Sequence, residues 1–307
     1  MAMGTWTLDA GYGVDDYAVW ITSQGEVLVW RMTDPTDANS IFLIGVYYIG
    51  APIGRRCMEK YKGDLLVITQ EGLVPLSAGL QSSRLDPRVF LTDKIQRAIS
   101  QSISLYGSNF GWQVIAFPKE NVLILNVPIQ EGQSQEQYVM NTISQAWGRF
   151  TNLEANCWAL FNDDLYFGGN NQVGHAWNSY DDLGEPIVGS ILQAFNYFGQ
   201  KGMLKRFTMM RPTFYCNGAP SIQGNINVDF DVSPPVSNLN TMPIVGAIFD
   251  ISVFDEAQFA PDPALANRWQ GANGVGYCGS VRLASSTEGF YIQHVSTEVV
   301  IEGGAIL

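Results

Sequence analysis

The sequence predicts an all-β protein: a β-propeller-like body followed by a smaller, antiparallel β-sandwich-like domain. Three observations carry this. Apolar residues make up 46% of 307 residues and charged ones only 15%, alongside 16 Phe, 13 Tyr, 8 Trp and 31 Gly. That mix suits many short strands joined by tight turns. Short apolar runs broken by Gly, Asn and Asp recur along most of the chain. Two stretches a hundred residues apart also share one spacing, "CMEKYKGDLLVIT" from Cys57 and "CWALFNDDLYFGG" from Cys157. Each places an aromatic four residues on (Tyr61, Phe161), an Asp seven on (Asp64, Asp164) and a Leu eight on (Leu65, Leu165).

The elements follow in order. Residues 17–32 read as a hairpin around Gln24-Gly25, and 58–77 as three runs divided by Lys62-Gly63-Asp64 and Glu71-Gly72. Residues 112–129 form a hairpin turning at Pro118–Asn121, and 138–150 add two more strand-like runs. Residues 157–177 repeat the three-run meander, turning at Asn162–Asp164 and Gly168–Asn171. "GEVLVW" (25–30) precedes Cys57 as "ENVLILN" (120–126) precedes Cys157, so the meanders fall into two halves with a period of about 95 to 100 residues. Each half holds two units of roughly 40 residues, the size of a propeller blade. Four blades are predicted, at 15–50, 55–90, 110–150 and 155–198, within a first domain spanning 1–200. Four are few to close a propeller alone, which points to completion by another chain or by a portion outside this sequence.

Between the halves, 91–107 places Ile95, Ala98, Ile99 and Ile103 on one face, so a helix is expected near 92–105 with Thr92 or Asp93 as N-cap. It is read either as an interaction element or as packing over the propeller. After residue 200 the pattern changes. "KGMLKRFTMMRPTFYC" (201–216) carries the densest basic cluster, Lys201, Lys205, Arg206 and Arg211. In 221–233, Ile222, Ile226, Val228, Phe230 and Val232 alternate with polar residues as in a half-buried strand. "GAIFDISVF" (246–254) reads as another strand, "GANGVGYCG" (271–279) as a Gly-rich turn, and 277–304 as further strands. Residues 201–307 are the second domain.

Charge and side-chain chemistry exclude several classes. With 17 basic against 29 acidic residues the net charge is -12, so tight nucleic-acid binding, which needs Lys and Arg on phosphates, is excluded. An acidic surface still suits DNA that must slide past without sticking. Low charge with rich aromatics predicts a surface partly covered by partner subunits, and the four basic residues are expected to pair across such an interface. Contact with DNA or an acidic partner is their other reading. The four cysteines form no CxxC or Cys/His cluster and are read as reduced, mostly buried structural thiols.

His175 and His294 have no nearby nucleophile or Asp partner that sequence supports, and read as packing or hydrogen-bonding residues. Asp15-Asp16, Asp163-Asp164 and Asp181-Asp182 with Glu185 supply carboxylates of the kind glycosidases use, but Asp163-Asp164 lies in a turn between strands, where Asp is favoured, and 179–186 reads as a plain loop. The sequence assigns no catalytic residue, metal ligand or cofactor. "MAMGTWTLDAGYG" lacks a basic region before an apolar core, so no signal peptide is expected, and no apolar run approaches the roughly 20 residues of a membrane span.

"QYVMNTISQAWGRFTNLEANCWALFNDDLYFGG", with its Trp-Gly-Arg-Phe run and closing "LYFGG", resembles the packaged-DNA stabilisation proteins, or tail nozzles and hubs, of short-tailed bacterial viruses. "KRFTMMRPTFYC", "INVDFDVS" and "VSTEVVIEGG" are similar to that family's C-terminal end, so the resemblance covers most of 112–232 and the last twenty residues. It implies a propeller-like structural protein of the virion tail without enzymatic activity, made in the host bacterial cytoplasm. Copies would assemble as a ring, usually of six, below the portal and adaptor, and contact other tail proteins. The ring would extend the DNA channel and retain the genome, with no membrane anchor and only transient passage of DNA. The other classes weighed are a propeller glycosidase using two of the acidic pairs, and a non-catalytic glycan-binding module presenting Trp and Tyr at blade ends.

Overall fold

The backbone of the repeated stretches follows from their turn residues. Lys62 and Gly63 have φ of 49° and 77°, and Asn162 and Asp163 have φ of 50° and 62°. Two consecutive left-handed residues make the type I′ turn, whose twist matches that of its flanking strands. Each turn closes a hairpin, with Tyr61 opposite Asp64 in one and Phe161 opposite Asp164 in the other. The shared spacing from Cys to Leu is the register of one hairpin built twice.

The structure, a computed structural model, describes residues 2–9, 14–32, 34, 36–79, 87–169, 171–218, 220–239 and 264–304. It consists mainly of antiparallel strands, as the all-β, propeller-like class predicts. The chain divides into two compact units, Met1–Ala176 and Trp177–Leu307.

The first unit is a succession of four antiparallel meanders. Sheet A holds β1 (Ala2–Asp9), β2 (Val14–Ile21), β3 (Glu26–Met32) and β4 (Ile41–Tyr48). Sheet B holds β5 (Met58–Tyr61), β6 (Asp64–Thr69) and β7 (Gly72–Pro75). Sheet C holds β8 (Gln113–Phe117), β9 (Val122–Gln130), β10 (Ser134–Asn141) and β11 (Trp147–Thr151). Sheet D holds β12 (Cys157–Phe161), β13 (Asp164–Gly169) and β14 (Gln172–Ala176). In every sheet the strands pair in chain order.

Each sheet packs on the next. Sheets A and B share a core of Val19, Ile21, Val27, Val29, Leu65, Val67 and Val74. Sheets B and C share one containing Leu66, Ile68, Leu73, Val114, Leu123, Leu125 and Met140. Sheets C and D meet through Ile115, Phe117, Ile124, Val139, Trp158, Leu165 and Phe167. Strand β6 serves two cores at once, Leu65 and Val67 toward sheet A and Leu66 and Ile68 toward sheet C. That is why "DLLVIT" is apolar at consecutive positions instead of alternating. Burying each such side chain contributes about 1.5–3 kcal/mol. A buried polar link adds direction between sheets C and D. Gln113 Nε2 donates to the Trp158 carbonyl (2.8 Å), Trp158 N donates back to Gln113 Oε1 (3.0 Å), and Trp158 Nε1 donates to Asn126 Oδ1 (3.2 Å).

The helix between the halves runs Gln96–Tyr106, after a 3-10 turn at Asp93–Ile95. Its predicted face is the packed one, with Ile95, Ala98, Ile99 and Ile103 all on the core between sheets B and C. Neither Thr92 nor Asp93 caps it, because the intervening 3-10 turn makes Ile95 the N-cap. Thr92 is fully buried, and its Oγ1 accepts from Leu73 N in β7 (3.2 Å).

The second unit holds β15 (Ile187–Leu192), β16 (Lys205–Cys216), β17 (Ser221–Val228), β18 (Ala264–Asn267), β19 (Gln270–Gly276), β20 (Gly279–Thr287) and β21 (Ile292–Gly303). One sheet is ordered β15-β20-β17. In the other, β16 has β21 along one edge, with β19 and then β18 along the opposite edge. Phe207, Met210 and Phe214 of β16 pack with Ile222, Ile226, Val281 and Leu283 of the facing sheet, the arrangement of a sandwich. Strand β15 lies in the stretch expected to complete the fourth blade, yet it pairs with β20 of this unit.

Two further expectations change here. Strand β17 ends at Val228 because Asp229 and Phe230 are left-handed (φ 49° and 66°), which leaves Phe230 and Val232 exposed. "GANGVGYCG" is mostly strand β19 and not a turn. Its glycines allow close approach: a Cβ on Gly276 would lie 2.7 Å from Asp229 Oδ2, and one on Gly279 would lie 2.5 Å from the Phe207 ring. The expected strand at 246–254 lies outside the described residues.

Candidate interaction surface

The residues of the repeated motif occupy equivalent places and different surroundings. Cys57 is 1% exposed and Tyr61 packs on the core between sheets B and C. Cys157 is exposed, and Phe161 is 66% exposed, touching the Tyr166 ring edge-on at 6.4 Å. Of the two Cys-aromatic pairs, only the first packs inside its blade. Leu65 and Leu165 are both buried.

Two left-handed residues close each turn through the backbone, and the side chains of the two aspartates bond elsewhere. Asp64 Oδ1 accepts from Leu65 N (2.8 Å) and Ser77 N (3.2 Å), and Ser77 Oγ donates to Asp64 Oδ2 (2.5 Å). Asp164 pairs with Lys119 across the C–D junction (2.6 Å) and lies 3.7 Å from His175 Nε2. The Lys119 ammonium holds the Asp164 carboxyl below the usual carboxylate range. His175 in turn stacks on Tyr166, with ring centroids 4.6 Å apart. Sequence reasoning gave His175 no acidic partner. The signal was present in the meander register, which sets Tyr166 opposite His175 one strand from the Asp164 hairpin.

The basic cluster disperses. Lys205 is 3% exposed, and its Nζ donates to the carbonyls of Gln200, Met203 (2.9 Å) and Tyr277 (2.9 Å), so it is an internal tie and not an interface residue. Arg211 pairs with Glu298 (2.5 Å) and lies over the Trp269 ring at 5.0 Å. Lys201 is exposed over Tyr197 (5.7 Å), and Arg206 is exposed opposite Glu302 in the β16–β21 ladder. Of the four, Lys201 and Arg206 are exposed, Arg211 is half-buried and Lys205 is buried.

Of the acidic pairs, Asp16 accepts from Thr7 Oγ1 (2.6 Å), and the Asp15 side chain lies outside the described residues. Asp181 accepts from Gly184 N (2.9 Å) in a turn with Leu183 and Gly184 left-handed. Among the described residues no three His, Cys, Asp or Glu are grouped to hold a metal ion. No helix of the described residues is long and apolar enough to cross a membrane.

What the first unit does present is apolar surface on its first and last sheets. On sheet A, Trp20, Leu28 and Val46 form one cross-strand row, and Ala18, Trp30 and Leu43 form a second. The Trp20 and Trp30 rings meet edge-on at 6.3 Å, and Leu43 and Val46 are 46% and 56% exposed. Phe42, Ile44 and Tyr48 of the same edge strand are also exposed. On sheet D, Cys157, Phe161 and Val173 are exposed beside the half-buried Tyr166 and His175. Among the described residues, no core cluster joins sheet D to sheet A.

Fold and surface together define a blade-built all-β protein whose terminal sheets are open. No protein-family model matches the chain, and no curated protein sequence matches it. Among solved structures it is similar to the crystal structure of a glycoside hydrolase family 43 arabinoxylan arabinofuranohydrolase from Bacillus subtilis in complex with cellotetraose. The identity is 9% and the TM-score 0.27, with 97% of this chain and 78% of that chain covered. That likeness runs against the expectation of a chain without enzymatic activity, and the expectation is withdrawn. At this TM-score it assigns no activity or substrate to the chain.

Proposed function

We propose that the chain is a structural subunit of a short-tailed bacteriophage tail, a nozzle or hub that assembles as a ring and continues the DNA channel below the portal and adaptor. The observation that carries this reading is the pair of open apolar faces on sheets A and D, in a protein with only 15% charged residues. Apolar rows of this kind mark interaction surfaces. The net charge of -12 suits a channel wall, because an acidic lumen repels phosphate and leaves a moving genome no place to stick. In this role the subunit holds its neighbours by shape and apolar contact, and DNA passes without specific binding.

The test is class-averaged electron microscopy of the purified protein, together with immunogold labelling of virus particles. Rings, and label confined to the tail, are the expected result. A protein that stays monomeric at high concentration and never labels tails overturns the proposal.

A further inference from the structure

The repeat makes the two open faces comparable with a junction that is already closed inside the chain. In sheet C, the rows Ala116–Leu123–Met140 and Val114–Leu125–Tyr138 form the face that packs against sheet B. By strand order and register their equivalents in sheet A are Trp20–Leu28–Val46 and Ala18–Trp30–Leu43, the two open rows. In sheet B, Cys57 lies against Ile68, which pairs with Leu73, and all three are buried on sheet C. The equivalents in sheet D are Cys157, Gly168 and Val173, and beside them Tyr166 stands where sheet B has Leu66. Sheet B fills the face of sheet C, while the matching surfaces of D and A have nothing against them among the described residues.

The geometry points to a second copy of this chain as the occupant: sheet D of one copy seats on sheet A of the next, as sheet B seats on sheet C within each copy. Both faces are apolar at the positions that the internal junction uses. One polar contact of that junction, Glu59 Oε1 accepting from Ala116 N (3.0 Å), has no counterpart, because Ala159 replaces the Glu and strand β1 pairs with β2. Strand β1 widens the receiving face with Met3 and Thr5, which lie opposite Trp20 and Ala18. Two different surfaces meet, so the contact is heterologous, and its repetition generates a ring when the rotation closes and a filament when it does not.

The inference rests on the reading of the chain as a self-assembling tail subunit, and cross-linking tests it separately. Arg56 bridges Gln113, which brings Cys57 to the start of β8, where Val114 is the equivalent of Ala18. Two variants of the full chain are mixed: one retains Cys157, and the other carries Cys157→Ser with Ala18→Cys. Oxidation of the mixture is expected to give a cross-linked dimer that neither variant gives alone. Val46→Asp, at an exposed position, is expected to weaken self-association roughly tenfold or more, with thermal unfolding unchanged at concentrations where the chain is monomeric. A third variant carries Ala18→Cys with Cys157 kept, and a link that forms only within single chains of that variant overturns the inference, since D and A then close on each other. So does unchanged self-association of Val46→Asp with no link in the mixture. Tail labelling without the link overturns the contact and leaves the tail reading standing, and the link without tail labelling does the reverse.

Discussion

Cys57 and Cys157 hold the same position in the same three-stranded meander, and one is 1% exposed while the other lies on an open sheet face. Burial pushes the Cys57 thiol above its ordinary pKa, which disfavours the reactive thiolate. Cys216 and Cys278 are buried as well. In the monomeric chain, a thiol reagent is expected to modify Cys157 first and the other three only on unfolding. Raising the protein concentration is expected to slow that first reaction as sheet D becomes covered. Mass spectrometry of labelled peptides across a dilution series checks both.

Leu66 and Tyr166 are a second equivalent pair. Leu66 is fully buried between sheets B and C, so Leu66→Ala is expected to cost about 2–5 kcal/mol through lost transfer energy and a residual cavity. Tyr166→Ala leaves no internal cavity and is expected to cost far less in the monomer. Urea unfolding of the two variants at low concentration measures the difference.

Lys205 is predicted to matter for stability and not for assembly. Its ammonium satisfies three carbonyls around β16. Lys205→Met keeps the stem but strands those acceptors, with an expected loss of about 1.5–3 kcal/mol. Equilibrium denaturation shows the loss, and sedimentation of the folded variant is expected to match that of the parent.

Glu59 gives the junction between sheets B and C a pH dependence. Burial raises its carboxyl pKa, partly offset by the bond from Ala116 N. A raised folded-state pKa means that the folded chain binds more protons than the unfolded one between the two values. Stability therefore falls as pH climbs above the ordinary glutamate value of about 4.3 toward the raised one. Glu59→Gln is expected to remove that decline, which thermal melts between pH 4 and pH 7 would record.

His294 acts with the opposite slope. Burial lowers its pKa, and its Nε2 lies 2.8 Å from Thr297 Oγ1. The unfolded chain binds the proton more readily, so the neutral imidazole's contribution is complete above about pH 6.5 and is lost as pH falls toward the lowered value. Replacement by Gln is expected to flatten the stability profile of the second unit over that range.

Much of the fold was legible because its signals are local. Gly63 and Asn162 mark hairpin turns by residue type, the alternation of β17 up to Val228 marks one buried face, and the hundred-residue spacing marks a duplicated meander. Signals that depend on distant partners were not legible. Nothing local in "KGMLKRF" distinguishes the buried Lys205 from the exposed Arg206. The left-handed Asp229 that ends β17 is set by its bonds to Tyr277 and Cys278, almost fifty residues away. The ion pair of Asp164 needs Lys119 from another sheet.

The sequence by itself determined the strand-and-turn grammar, the two halves and the acidic, charge-poor character of the surface, because residue type, period and count set these directly. Only the tertiary structure decided which copy of the repeated Cys and aromatic is covered. Burial is a property of what packs against a face: sheet C packs against sheet B, and within the described residues no core cluster covers the matching face of sheet D.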